Sequence, residues 1–219
     1  MLSSMARPRI HDAATGDRLL ATAEELLRGG GPDAVSVRLV AEAAGASHRA
    51  VYALFGSKQG MLDALAAHGY LDLARRVRGV QASDDPACDL VRAGVEGFRS
   101  FVLANPALFR LTFEQVSAEV LRQPRVVTAS IESYDALADW VVRLQNIGGV
   151  HPERGLIDCC YAFHATCQGL ASCELATFAP PAGPGFWKSK AATDLTSTWT
   201  DTLYAVVNGF SHQPTSVVS

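Results

Sequence analysis

The chain has 219 residues, 48% of them apolar, with 19 Lys and Arg against 22 Asp and Glu for a formal net charge of −3. That length suits one or two domains with a substantial buried core. No apolar run reaches the roughly 18–20 residues needed to span a bilayer, and the charge excludes a wholly electrostatic nucleic-acid binder.

The opening MLSSMARPRIHDAATGD has no hydrophobic secretory core and reads as a flexible arm over residues 1–14, so a cytoplasmic location is expected. A first helix is expected from Thr15 to Arg28, with Leu19, Leu20, Ala23, Leu26 and Leu27 recurring on one face. Gly29-Gly30-Gly31-Pro32 ends it; with no strand before the run and no Lys-Ser/Thr after it, a helix stop is the better account than a phosphate loop. Two short helices then follow within Ser36–Lys58, SVRLVAEAAGASHRAVYALFGSK. Ser36 and Ser47 are the caps, because a hydroxyl at that place can accept from a free N–H of the first turn. Val37, Val40, Ala41 and Ala44 form the first apolar stripe, and Ala50, Val51 and Leu54 the second. Gly45, between them, suits a positive φ.

Ser57 caps a long helix that should run to about Gly79, with Met61, Leu62, Leu65, Ala66 and Leu73 inward. Gln81–Asp85 reads as a polar linker and domain boundary. From Pro86 a helix continues to Ala104, and Asn105-Pro106 breaks it. A short apolar helix carries Leu108, Phe109, Leu111, Thr112 and Phe113. Another is expected from Pro124 to Gln145 with Val127, Ile131, Tyr134, Leu137, Ala138 and Val141 inside. His151-Pro152 starts a nearly all-apolar helix to Leu175, a Pro/Gly loop spans 177–186, a last helix runs from Lys188 to Phe210, and 211–219 is a tail. No segment reads as a strand, so the fold expected is all-α.

Two short helices joined at a tight Gly-containing turn make a helix-turn-helix, whose second helix can enter the DNA major groove. Ser47, His48, Arg49, Tyr52 and Ala53 project between its buried positions. Arg can grip guanine or phosphate, Ser and Tyr can reach phosphate, and Ala53 permits approach to a thymine methyl. Arg38 and Lys58 stand near helix starts, where the dipole disfavours cations unless an anion arrives from outside. With Ser36 they complete the candidate DNA-binding set. Residues 36–58 carry Arg38, Arg49 and Lys58 against Glu42, whereas residues 59–219 carry 12 Lys and Arg against 16 Asp and Glu. A basic reading head on an acidic body fits site-specific binding that weakens with salt.

Residues 15–62 resemble the N-terminal domain of TetR-type transcriptional regulators, with Ala41, Ala44, Gly45, Ser47, Tyr52, Phe55, Ser57 and Lys58 at the places of the pattern A-x-x-A-G, S-x-x-x-x-Y-x-x-F and the polar turn with Lys. His48-Arg49 departs from it, since a Lys and a small residue are usual there. The segment AFHATCQGLASCEL, residues 162–175, is similar to the penultimate-helix signature of one TetR-type C-terminal class. Gly169, Leu170, Glu174 and Leu175 match, while His164 replaces the usual Trp and Gln168 the usual His. The resemblance implies a helix-turn-helix domain over 15–60 and a ligand-binding and dimerisation domain over 61–210. It also implies a homodimer formed by the last two long helices, with Gly169, Ala171 and Ser172 allowing close approach. The expected function is a DNA-binding repressor of a pseudo-palindromic operator, released by an unidentified small apolar or aromatic effector.

Candidates for the effector site are Phe98, Phe101, Phe109, Phe113, Tyr134, Trp140, Phe163, His164, Cys167 and Gln168, aromatic walls beside a few polar groups. The five cysteines, Cys88, Cys159, Cys160, Cys167 and Cys173, are odd in number and read as reduced thiols. Cys160, His164 and Cys167 share one helix face, but no second ligand pair accompanies them, so no metal is assigned. No G-x-S-x-G, Walker or H-E-x-x-H motif supports an enzyme, and no cofactor is expected. The alternative reading is an all-α small-molecule-binding protein without DNA function.

Overall fold

The computed structural model describes residues 10–115, 117–178 and 195–214. Ten α-helices account for most of them: α1 (Ile10–Ala34), α2 (Val37–Ala43), α3 (His48–Phe55), α4 (Lys58–Arg78), α5 (Pro86–Arg92), α6 (Ser100–Ala104), α7 (Pro106–Phe109), α8 (Pro124–Asn146), α9 (Leu156–Phe178) and α10 (Thr196–Gly209). Among the described residues there is no strand, and no described helix is long and apolar enough to cross a membrane. The fold is all-α.

The chain divides into two compact units. The first takes residues up to Gly69 with Ala107–Val127, and the second takes Tyr70–Pro106 with Thr128 onward. The division of these units falls within α4. The Gln81–Asp85 segment is no free linker. Ser83 donates to the buried Asp89 through its N–H (2.8 Å) and its hydroxyl (2.7 Å), and Arg143 bridges Asp89 (2.8 Å) to the Ser83 carbonyl (2.9 Å).

In the first unit, Leu19, Ala23 and Leu27 of α1 pack with Val35, Val40, Ala41, Val51, Met61 and Leu65, all at most 1% exposed. The helical path of α1 breaks at Gly30 and Gly31, the latter at φ 68°, and Pro32 opens the last turn. The helix starts five residues before Thr15, inside the expected arm; residues 1–9 of that arm lie outside the described residues.

In the second unit, α5, a π-helical stretch Ala93–Arg99 and α6 form one continuous rod. A second π-helical stretch, Arg110–Glu114, extends α7 in the first unit. The inner face of α8 holds Leu137 and Val141 as expected but differs over its first half. Val127, Ile131 and Tyr134 are 36%, 54% and 41% exposed, whereas Val126, Ala129, Ser133, Ala136, Leu137, Trp140, Val141 and Leu144 are buried. Both faces of α8 carry apolar residues, so helical periodicity alone fits either phase.

The α9 helix begins at Leu156 and not at His151-Pro152. Residues 151–154 instead form a turn held to the end of α10: the His151 N–H donates to the Phe210 carbonyl (2.8 Å) and Arg154 to the His212 carbonyl (2.9 Å). The helix continues to Phe178, past the expected start of the Pro/Gly loop. Residues 179–194, and with them the expected start of the last helix at Lys188, lie outside the described residues, as do residues 215–219 of the expected tail.

Candidate DNA interface and effector cavity

The reading head is built by local chemistry. The Ser36 hydroxyl accepts from the Leu39 N–H and that of Ser47 from the Ala50 N–H, each at 3.2 Å. Between the helices Gly45 adopts φ 61°, a left-handed conformation that costs a side-chain-bearing residue about 1 kcal/mol or more. The Ala46 N–H closes the turn onto the Ala41 carbonyl at 2.8 Å. Val51 anchors α3, fully buried. Ser47, His48, Arg49, Tyr52 and Ala53 are all exposed, Tyr52 at 55%, as are Arg38 and Lys58. Ser36 is half-buried; its oxygen is used as a cap acceptor, and its O–H remains a donor. Among the described residues Arg38 and Arg49 form no ion pair, and Lys58 approaches Asp33 only at 3.9 Å. One helix thus presents an arginine, a histidine and a tyrosine on a face whose opposite side is rooted in the core, the geometry of a groove-reading helix.

In the second unit a cavity of about 20 Å³ lies between four elements. It is lined by Leu73 and Val77 of α4, Ala93 and Phe98 of the π-helical stretch, Ser133, Tyr134 and Leu137 of α8, and Phe163, His164 and Cys167 of α9. Such a volume holds a single water. The structure brings Phe98, Tyr134, Phe163, His164 and Cys167 together here, but not the other candidates. Phe101 is fully buried elsewhere in the core. Phe109 and Phe113 stack on each other (5.6 Å) in the first unit. Trp140 is buried with its indole N–H donating to the Val77 carbonyl at 3.2 Å, and Gln168 is half-buried outside the lining. Sequence reasoning misses Leu73, Val77, Ala93, Ser133 and Leu137, because nothing in an aliphatic or small residue's spacing separates a cavity wall from ordinary core.

His164 packs edge-on against Phe98 (5.7 Å, 78°) and lies 5.2 Å from the Tyr134 ring. Burial pushes its pKa down to about 4, because desolvation disfavours the charged form. Burial also pushes the Cys160 thiol up to about 11 and the Cys167 thiol higher still, so neither supplies a thiolate near neutral pH. Among the described residues no three His, Cys, Asp or Glu side chains converge as a metal set.

The His164 environment predicts a pH dependence of stability. The unfolded chain takes up a proton near pH 6.5, whereas the folded chain resists it to about pH 4. The neutral ring's contribution is complete above pH 6.5 and is lost as pH falls through that window. The loss should reach about 3 kcal/mol by pH 4. Urea titrations of wild type and His164→Gln from pH 7 to pH 4 should diverge by that amount; parallel curves would refute the assignment.

The second unit also holds a buried charge cluster. Arg99 donates to both oxygens of Glu174 (2.8 to 3.2 Å) and to the Thr196 hydroxyl (2.6 Å), and the Trp199 indole N–H donates to Glu174 at 2.7 Å. Glu174 is 1% exposed. The long-range partners of Glu174 carry no signal in the sequence.

Residues 19–65 match the family of bacterial regulatory proteins, tetR family, and residues 91–186 match a tetracyclin repressor-like C-terminal domain. No curated protein matches the chain. Among solved structures, a Rhodococcus sp. RHA1 protein of unknown function is similar at 24% identity and TM-score 0.70, over 94% of this chain and 100% of that one. The TetR family transcriptional regulator PfmR of Thermus thermophilus aligns at 21% identity and TM-score 0.58, over 86% and 98%. The fatty acid degradation regulator FadR of Bacillus halodurans aligns at 15% and 0.65, over 88% and 97%. With both family regions matched in order around an exposed helix-turn-helix, the chain belongs to the TetR family of transcriptional regulators.

Proposed function

We propose that the protein is a homodimeric repressor that binds a pseudo-palindromic operator through α3 and leaves it when a small apolar or aromatic effector enlarges the α4–α8–α9 cavity. The observation that carries the reading is the α3 face: His48, Arg49, Tyr52 and Ala53 exposed around a fully buried Val51. The candidate contacts to the operator are that face with Ser36, Arg38, Ser47 and Lys58.

The outer face of α9 supports pairing with a second copy. Ile157 and Tyr161 are 81% and 69% exposed, and Ala162, Ala165, Gly169, Cys173 and Ala176 continue an exposed, small and mostly apolar surface, of the kind that marks a protein interface. Ala171 belongs to this chain's own core, 0% exposed, so Gly169 and the half-buried Ser172 are left as the close-approach positions.

Coupling would run through α4. Leu73 and Val77 form one cavity wall, and the same helix begins three residues after the end of α3. Its second half is tightly held: a Cβ added to Gly97 would meet the Val77 Cα at 3.0 Å, and Trp140 bonds the Val77 carbonyl. An occupant larger than one water must therefore move α4 or its neighbours. An effector shifts the equilibrium between head spacings only by its differential affinity for the two. Selection of bound sequences from random DNA tests the reading. An inverted repeat with half-sites about 34–36 Å apart is expected; no enrichment would leave only a helical ligand-binding protein, and a lone half-site would overturn the two-fold grip.

A further inference from the structure

The charges in the interior of the second unit are already matched. Arg99 is spent on Glu174 and Thr196. Arg143 is spent on Asp89 and lies over the Trp140 ring at 5.0 Å. The cavity lining contains no Lys, Arg, Asp or Glu. The polar side chains among its lining residues are Ser133, Tyr134, His164 and Cys167, set among Leu73, Val77, Phe98 and Phe163.

We propose that the effector is uncharged over the part it buries in this cavity: an apolar ring compound bearing one hydroxyl or carbonyl oxygen for His164, and not a carboxylate, a phosphate ester or an amine. The proposal rests on the reading of this cavity as the effector site and specifies its chemistry. An ionised group placed here would lose its water and gain no counter-ion, which disfavours it by about 100-fold or more. A neutral ligand meets no such barrier. The imidazole, neutral at pH 7 because burial holds its pKa down at about 4, carries one N–H and one lone-pair nitrogen, so it suits a hydroxyl or a carbonyl. The flat walls supplied by Phe98, Phe163 and Tyr134 suit a ring. Entry is past Tyr134: it is 41% exposed, whereas Phe98, Phe163 and Cys167 are at most 5% exposed. Turning Tyr134 outward opens the route between α8 and α9 and reaches His164 first.

The test is calorimetric binding of matched pairs, β-naphthol against β-naphthoate and p-phenylphenol against p-phenylbenzoate, to the full-length protein at neutral pH. The same titrations are run on Ala93→Phe, which fills the cavity from the π-helical stretch, and on Ser133→Phe, which fills it from α8 should the first variant not fold. The expected result is binding of the neutral members about 100-fold tighter than their acids, abolished by filling. Carboxylates that bind as tightly as the alcohols, and lose binding on filling, would overturn the ligand class while leaving the site. Binding unaffected by filling, or no binding by any member, would overturn the effector site itself and this proposal with it.

Discussion

Replacing Arg49 with alanine is expected to weaken operator binding by ~10²- to 10⁴-fold while leaving the fold intact. A bidentate arginine–guanine contact is worth about 1–3 kcal/mol, and a two-fold dimer loses it in both half-sites. The stability should hold because Arg49 is exposed and, among the described residues, joins no ion pair. A phosphate contact and a base contact are separable by one further measurement. If Arg49 reads a base, the substitution relaxes sequence preference at one position of each half-site; if it grips phosphate, binding weakens equally on all sequences and the salt slope shrinks. Tyr52→Phe should cost less than Tyr52→Ala, because only the hydroxyl's hydrogen bond is lost. Fluorescence anisotropy on a selected operator across a salt series reads all of these. An Arg49→Ala dimer within three-fold of wild type, on the scale of about 1.4 kcal/mol per tenfold, would remove Arg49 from the interface, and the same result for Arg49→Ala with Tyr52→Ala would remove α3.

The head is legible in the sequence and the cavity only partly so, for a physical reason. Ser36, Gly45 and Ser47 act on backbone groups within four residues of themselves, so their chemistry is local and their spacing is enough. The face of α8 is a different kind of fact. Val127, Ile131 and Tyr134 form as regular a stripe as Val126, Ala129, Ser133 and Leu137, and only the neighbouring helices decide which is covered. Size alone likewise places Ala171 at an interface, and the rotation of α9 turns it inward. Asp89 reads as an ordinary helical acid, and the signature that Glu174 matches says nothing of its partner. Each is buried because an arginine more than fifty residues away reaches it, and no window of sequence contains both partners. The π-helical stretch Ala93–Arg99 has no signature at all, though it sets the register at which Phe98 meets the cavity and Arg99 meets Glu174. Its consequence is readable only once the fold is known: single-turn π segments widen a helix locally and recur at functional sites.

Arg99→Ala is expected to destabilise the protein by about 3–5 kcal/mol, the largest effect of any single truncation outside the apolar core. The cost arises from what is left behind. Glu174 is 1% exposed, and without Arg99 its carboxylate is left to the Trp199 indole N–H, at 2.7 Å. A buried carboxylate so placed must either remain charged in an apolar setting or take up a proton, and both states are costly. Glu174→Gln should lose less than Arg99→Ala, since an amide oxygen can still accept from Trp199 and Arg99. The double variant Arg99→Met with Glu174→Leu removes both charges, and should recover most of the loss, because replacing a whole buried pair by apolar groups is often close to neutral. It will not recover all of it, since the Trp199 N–H, on a residue 1% exposed, is then left without its acceptor, a penalty of about 1–3 kcal/mol. Urea denaturation of wild type, Arg99→Met, Glu174→Leu and the double variant gives the coupling energy directly. Because Arg99 ties the π-helical stretch to α9 and α10 next to Phe98 and Trp199, whose rings lie 6.4 Å apart, the single variant should also loosen the cavity wall and weaken effector binding, whereas a purely peripheral ion pair would leave both stability and effector affinity unmoved.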